Sequence, residues 1–446
     1  MSQPIVPVTT EATSVCRLKS LELFAGAGGL SLGIHAAGFE HIALIEKNGF
    51  AAETLRENSR HVLHVDPNLV LNCDAESVDY SAFAGKVDLL AGGPPCQPFS
   101  TGGKSKGHED DRNLFPVFLD TVATILPKAV LIENVKGLLR TNFREYFDYL
   151  LLRLKYPLCY MKDGEDWSEH CLRLQQTREA DYRENERYAV TFQLLDAADF
   201  GVPQRRERVI ITAFRADLGI VPVHMLPTHS KEGLFIEQWI TGRYWETRGL
   251  EPYDYLTSTD KSTVALLKKK AVLIASREPW LTVRDAISDL PEPVQRGETP
   301  RFSNHVQHPG GRAYPNHIGS YLDHPAKALK AGTHGTPGGE NMIRFPNGEV
   351  RYFTTRETAR LQNFPDDWHF HGTWGSCIRQ LGNAVPVKLA QIFAAEIHMR
   401  LMQANQAIQE ETHERIRDHR QYAPPSHPAG PRRNKIRSVA VPSGTD

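Results

Sequence analysis

Leu21-Glu22-Leu23-Phe24-Ala25-Gly26-Ala27-Gly28-Gly29-Leu30 is the stretch on which the fold of this chain turns. An apolar run, 18–23, enters a glycine-rich turn and then a helical stretch, 31–37. Glycines at such a turn let the backbone approach a ligand. An acidic residue ending the next strand, about 20 positions on, binds ribose hydroxyls. Glu46 stands there. Ser31 occupies the place of the last glycine of a GxGxxG signature, and the lysine of a phosphate loop is missing, so a nucleoside cofactor without a diphosphate fits better. Asp74, ending a third strand segment, is placed to accept from an adenine amino group. A plain tight strand–helix turn competes with this reading of the motif alone.

The alternation continues to about residue 214. Apolar runs at 41–45, 87–91, 129–132, 189–194 and 208–213 read as further buried strands, and 50–58, 114–125 and 143–154 as intervening helices. Such βαβ order predicts a mostly parallel sheet covered on both faces, with its site beyond the carboxyl ends of the strands. Residues 155–187 are polar and read as an insertion with one surface helix. From 222 to 345 the periodicity dissolves into Pro, Gly, His and basic residues, the composition of a separate, loop-rich module. Residues 342–353 read as a hairpin turned by Asn347-Gly348. A helix starts at Thr354, with Glu357 completing a capping box. Residues 386–412 look helical. The segments 1–17 and 413–446 read as a disordered lead-in and tail.

Three further constellations carry chemistry. In Gly92-Gly93-Pro94-Pro95-Cys96-Gln97-Pro98-Phe99-Ser100, prolines fix φ on both sides of one cysteine just beyond a strand. A thiol held so rigidly is placed for attack, given a pKa lowered by nearby amides or cations. Glu133, in Glu133-Asn134-Val135 after the strand 129–132, can reach the same pocket; desolvated there, its carboxyl would hold a proton and donate a hydrogen bond. In Gln204-Arg205-Arg206-Glu207-Arg208, alternate residues of a strand share a face, so Arg206 and Arg208 point together, toward an oxyanion or a phosphate. A solvated run of charges is the bland alternative.

Bulk composition limits the options. The 446 residues, 40% hydrophobic and 24% charged, describe an ordinary soluble globular chain of two to three domains. Neither an apolar run of about 18 residues nor a secretory signal is present. The reading is therefore cytoplasmic, without membrane. Six cysteines include no CxxC pair, so free thiols are the default. His305, His308, His317, His324 and His334 are spaced too irregularly for zinc. A net charge of −1 does not advertise a polyanion partner; a local basic cleft would be needed to bind one.

Taken in order, the four elements resemble the motif series of the DNA (cytosine-5) methyltransferases, of restriction-modification or solitary type. Two late stretches match as well: Arg360-Leu361-Gln362-Asn363-Phe364-Pro365 and Gly382-Asn383-Ala384-Val385-Pro386. The resemblance covers roughly residues 18–400. It implies a Rossmann-like α/β fold of the S-adenosylmethionine-dependent methyltransferases, a mostly parallel seven-stranded sheet, with a second, smaller, loop-rich DNA recognition domain. The implied division is catalytic 18–221, target recognition 222–345 and a return to the catalytic domain over 346–412, the last helix lying beside the first strand. It implies S-adenosylmethionine as methyl donor, no metal, and double-stranded DNA whose target cytosine is flipped out. Cys96 would attack C6, Glu133 would contact N3 and the exocyclic amine, and Arg206 and Arg208 would hold the base carbonyl and position the loop and backbone. Phe24, Gly26, Gly28, Gly29, Glu46, Asp74, Pro95, Leu114 and Asn383 would surround the cofactor. Residues 101–107, with Lys104 and Lys106, would close over the flipped nucleotide. Arg243, Lys268 to Lys270, Arg277 and Arg284 are candidates to touch DNA, and Thr282 starts a capped helix. The implied enzyme is a bacterial, nucleoid-associated monomer, compatible with a restriction endonuclease acting on the same site without direct contact. Two rivals stand beside it: a transfer-RNA cytosine-5 methyltransferase, which shares the Pro-Cys loop, and a catalytically inactive DNA-binding relative.

Overall fold

The computed structural model describes residues 17–95, 113–269, 277–315, 317–332 and 339–421, the side chains of 339 and 411–421 excepted. By compactness the chain divides into a unit up to Leu401 and a second from Met402 onward.

In the first unit a seven-stranded sheet has the order β3-β2-β1-β4-β5-β7-β6. Its strands are β1 (Lys19–Leu23), β2 (Glu40–Ile45), β3 (Val70–Leu71), β4 (Leu89–Gly92), β5 (Ala129–Val135), β6 (Tyr188–Asp196) and β7 (Glu207–Arg215). The pairs β1–β2, β2–β3, β1–β4 and β4–β5 are parallel. Only β7 is reversed, antiparallel to both β5 and β6. The expected mostly parallel sheet is therefore present. The two-residue β3 ends three residues before Asp74, where the sequence set the end of a third strand segment.

Helices α1 (Gly29–Ala36), α2 (Gly49–Ser59), α3 (Phe115–Ile125) and α4 (Arg144–Lys155) fall where the alternation placed them. The strands are apolar on both sides because both faces are covered. Along β4 and β5, Leu90, Val130 and Ile132 pack against Phe115, Phe118 and Phe147 of α3 and α4. The alternate residues Leu89, Ala91, Ala129 and Leu131 pack with Leu30 and Ile34 of α1 and with Leu389, Phe393 and Ile397. Each fully buried side chain of this kind contributes about 1.5–3 kcal/mol.

The late segment thus returns to the first helix. A β-carbon on Gly33 would lie 2.4 Å from Ala390 Cβ, and one on Gly29 would lie 2.2 Å from the Val385 carbonyl oxygen. The insertion carries the helix Trp167–Gln175 with a full capping box at Asp166 and Glu169. The 342–353 hairpin is antiparallel, with Gly348 at φ 89°, and the boxes at Thr354/Glu357 and Thr282/Asp285 form. The last helix, Val387–Gln421, runs past the expected end at 412.

Residues 222–345 stand in the same compact unit as the sheet rather than apart from it. Backbone bonds from Arg205 N to Ala326 O (2.8 Å) and from Ala326 N to Pro203 O (2.9 Å) tie this segment to the strand connection. It is more helical than its composition suggests, with helices Arg243–Arg248 and Ser258–Lys269. Tyr244, Trp245, Tyr255 and Trp280 form a small aromatic core together with Leu234 and the preceding Ala198.

Gly29→Ala is expected to destabilise the chain by about 1–3 kcal/mol, the usual effect of overpacking, because the obstacle is backbone. An unchanged denaturant midpoint would contradict this close approach of α1 to the late segment.

Candidate active site

β2 lies to one side of β1 and β4 to the other, so the order of strands reverses at β1–β4. The crevice beyond their carboxyl ends is where such sheets bind ligands. There a cavity of about 350 Å³ is lined by Phe24, Gly26, Glu46, Pro94, Pro95 and Glu133, among others.

The turn after β1 forms the first wall. Phe24, Gly26 and Gly28 have φ of 57°, 57° and 91°. Left-handed φ is natural for glycine but strained for phenylalanine, at about 1–2 kcal/mol, and the strained Phe24 faces the cavity. Gly26 N–H donates to Glu46 Oε2 (2.8 Å) and Asn48 N–H to Glu46 Oε1 (2.6 Å). Two amides therefore aim this carboxylate. Burial pushes its pKa up and the amide bonds pull it back. An oriented acceptor beside an open glycine suits a ribose diol, so the cofactor expected here fits the residues present.

Gly28 and Gly29 also serve packing: a β-carbon on Gly28 would meet Trp368 at 2.7 Å, and Gly29 abuts Val385. Asp74 does not line the cavity. Its Oδ2 is 2.5 Å from Lys47 Nζ, which holds its pKa low, and its side chain caps the turn Ala75–Ser77. Leu114 caps α3 and is not on the described wall.

The second wall follows β4 and β5. A β-carbon on Gly93 would be 3.3 Å from Glu133 Oε2, so the glycine leaves room for that carboxylate. Asn134 Nδ2 donates to Pro94 O (3.2 Å) and ties the proline loop to β5. Pro95 lines the cavity. Cys96 and residues 101–107, with Lys104 and Lys106, lie outside the described residues.

The reversed β7 forms the third wall. Val135 pairs with Arg208 across β5–β7, and Glu133 lies two residues along the same face. Arg208 Nε is 2.5 Å from Glu133 Oε1, both side chains being nearly buried. The desolvated carboxyl expected from the sequence thus has a fixed counter-charge. Arg206 lines the same cavity but is used differently. It donates from Nη1 to Leu329 O (3.0 Å) and from Nη2 to Gly382 O (2.8 Å) and Ala384 O (2.9 Å). The Nη groups of Arg206, expected beside Arg208 at the base, are thus engaged by Leu329 of the 222–345 segment and by Gly382 and Ala384 of the late segment. The outward-facing Arg205 and Glu207 pair with Asp196 (3.2 Å) and Lys136 (2.7 Å).

The helix Trp374–Asn383 closes the cavity. Asn383 lines it as expected, together with Ser376, Arg379 and Gln380, which the sequence reading missed. Their spacing of three, four and seven from Ser376 is one helix face, a signal available in the sequence. Phe50, 48% exposed, also lines the wall.

Elsewhere, Arg284 is held by the buried Asp323 (Nε 2.5 Å, Nη2 2.8 Å) and is withdrawn from the DNA candidates. Arg243, Lys268, Lys269 and Arg277 are exposed, while Lys270 is outside the described residues. His305 bonds Thr354 Oγ1 and Pro291 O, and His308 stacks on Trp374 at 3.7 Å. Among the described residues no helix is long and apolar enough to cross a membrane.

The fold and the site define an α/β protein whose strand-order crevice holds an acid–arginine pair beside a proline loop. Residues 18–156 and 180–399 match the family model "C-5 cytosine-specific DNA methylase". The chain is 34% identical over 378 residues to Type II methyltransferase M.PspPI of a Psychrobacter species, covering 83% of this chain and 76% of the relative. It is 32% identical over 374 residues to Type II methyltransferase M.Eco47II of Escherichia coli, with coverage of 83% and 76%. A prophage-encoded E. coli chain described as a DNA modification methyltransferase shares the fold, at TM-score 0.51 and 18% identity, covering 86% of this chain and 99% of that one. The chain belongs to the C-5 cytosine-specific DNA methylase family and is a DNA cytosine-5 methyltransferase.

Two outcomes follow from the roles of these groups. Arg206→Ala orphans three buried carbonyls, at about 1–3 kcal/mol each, and is expected to lower the unfolding midpoint sharply. Arg208→Ala is expected to change the midpoint less and to reduce turnover by about 10²-fold, as when one charge-stabilising donor is lost. The opposite partition would contradict the assignment.

Behind the first wall, Glu22 is fully buried, which pushes its pKa up from 4.5 to about 8; Ser31 offsets part of this and Glu46 adds to it. The folded chain holds a proton that the unfolded chain releases above its ordinary value, so stability falls as pH rises from about 5 to about 8. Glu22→Gln is expected to flatten that slope in denaturation curves and to stabilise the chain at the upper end. A slope unchanged by the substitution would contradict a protonated Glu22.

Proposed function

We propose that the chain methylates C5 of a flipped-out cytosine within a specific duplex DNA sequence, with S-adenosylmethionine as donor and Cys96 as nucleophile. The observation that carries this reading is the convergence of Pro94-Pro95, Glu133 and Arg208 on the cavity that also holds Glu46 and Gly26. The bound donor supplies an electrophilic methyl group on a sulfonium. Glu46 holds its ribose, and Phe24, Gly26, Pro95 and Asn383 surround it.

The Cys96 thiolate adds to C6, and the C5–C6 electron pair becomes available at C5. Glu133 contacts N3 and the exocyclic amine, steadying the charge that moves into the ring, while Arg208 fixes Glu133 and reaches the base carbonyl. C5 takes the methyl group as its bond to sulfur breaks, the electron pair staying on sulfur as a neutral thioether. A base then removes the C5 proton, and the electrons left behind expel Cys96 as thiolate and restore aromaticity. A cytosine in a stacked duplex cannot meet these groups, so it is extruded, at about a few kcal/mol. Segment 222–345 reads the duplex, with Arg243, Lys268, Lys269 and Arg277 as its exposed basic candidates. The enzyme acts as a monomer, and any restriction endonuclease meets it only through their common site.

Purified chain incubated with methyl-labelled donor is expected to label duplex DNA and not transfer RNA. Cys96→Ala is expected to bind donor and transfer nothing. Label on transfer RNA alone, or full turnover by Cys96→Ala, would contradict the proposal.

A further inference from the structure

The cavity wall described here carries three cations, Arg206, Arg208 and Arg379. Two are engaged: Arg206 by the Leu329, Gly382 and Ala384 carbonyls, and Arg208 by Glu133. Arg379 is exposed, and among the described residues no hydrogen bond or ion pair holds its guanidinium. It stands four residues before Asn383 on the helix Trp374–Asn383, on the face that lines the cavity.

That helix is a fixed support. Gln380 meets Thr54 Oγ1 at 2.8 Å and donates to His371 O at 2.9 Å; Gln362 donates to Leu381 O at 2.8 Å, and Arg206 holds the Gly382 carbonyl. Arg379 therefore projects from a rigid wall into the cavity that Glu46 and Gly26 share.

We propose that Arg379 binds the α-carboxylate at the amino-acid end of the methyl donor. The assignment rests on the donor proposed above. With Glu46 on the ribose, the carboxylate is the only anionic group of that ligand. A guanidinium without a partner on the same cavity wall is its natural complement, because arginine pairs carboxylates through two parallel N–H bonds. A DNA phosphate is the other anion an exposed arginine could meet. The shared cavity with Glu46, and the position one helical turn from Asn383, favour the carboxylate.

Titration calorimetry with S-adenosylhomocysteine and with its decarboxylated analogue, which keeps the thioether and the amine, separates the two. The full-length chain is expected to bind S-adenosylhomocysteine about tenfold or more tightly than the analogue, as suits a charged hydrogen bond. Arg379→Ala is expected to weaken S-adenosylhomocysteine by about the same factor and to leave the analogue unchanged. Arg379→Lys is expected to recover part of the loss. Equal effects on both ligands, or no effect on either, would overturn the assignment, as would weakened duplex binding with unaltered cofactor affinity. A parent chain that binds neither ligand would overturn the methyl-donor reading, and this assignment with it.

Discussion

The ion pair between Glu133 and Arg208 depends on one strand running backwards. In the parallel part of the sheet, β1, β4 and β5 deliver their carboxyl ends to one edge. A parallel β7 would have delivered its carboxyl end there too and carried its first residues to the far side. Reversed between β5 and β6, it sets Arg208 opposite Val135 and within 2.5 Å of Glu133. Two chemically opposed groups some 75 positions apart thereby meet at the crevice where the strand order switches. In water such a pair is weak; nearly buried on a cavity wall it fixes the carboxylate in one position.

The other side of the cavity comes from the end of the chain. Gly29, Gly33 and Gly28 allow α1 and its entry turn to touch Val385, Ala390 and Trp368 at distances a side chain would prevent. Arg206 completes the attachment through Gly382 and Ala384 and extends it to Leu329. Its three bonds make it a positioning residue for the helix that carries Arg379, Gln380 and Asn383. Glycines read at first as room for a ligand thus divide by position. Gly26 borders the cavity, while Gly28 and Gly29 seat the returning segment.

Much of this was legible in the sequence, because apolar period, glycine turns and capping boxes are local signals. The strand–turn–helix around Phe24, the placing of Glu46, the proline loop after β4 and the boxes at Thr282 and Thr354 all follow from neighbours in the chain. Direction was not legible, since an apolar run such as 208–213 reads the same either way. Partners distant in the chain were hidden as well. The alternation of Arg206 and Arg208 correctly set both on the cavity side, but the carbonyls that engage Arg206 lie 123 to 178 positions away. Asp323 took Arg284 for the same reason, as charged side chains reach across turns that composition does not describe. The composition of 222–345 hid a small aromatic core, because Trp and Tyr scattered among Gly and Pro show no period.

If Cys96 attacks a base held against Pro95, Glu133 and Arg208, a duplex carrying 5-fluorocytosine at the target position traps the adduct, because fluorine cannot leave C5 as a proton does and the adduct cannot collapse. With methyl donor present, the account requires a denaturation-stable protein–DNA species whose linked peptide contains Cys96, lost in Cys96→Ala. A chain that methylates ordinary duplex yet forms no such species, or links through another residue, would contradict it.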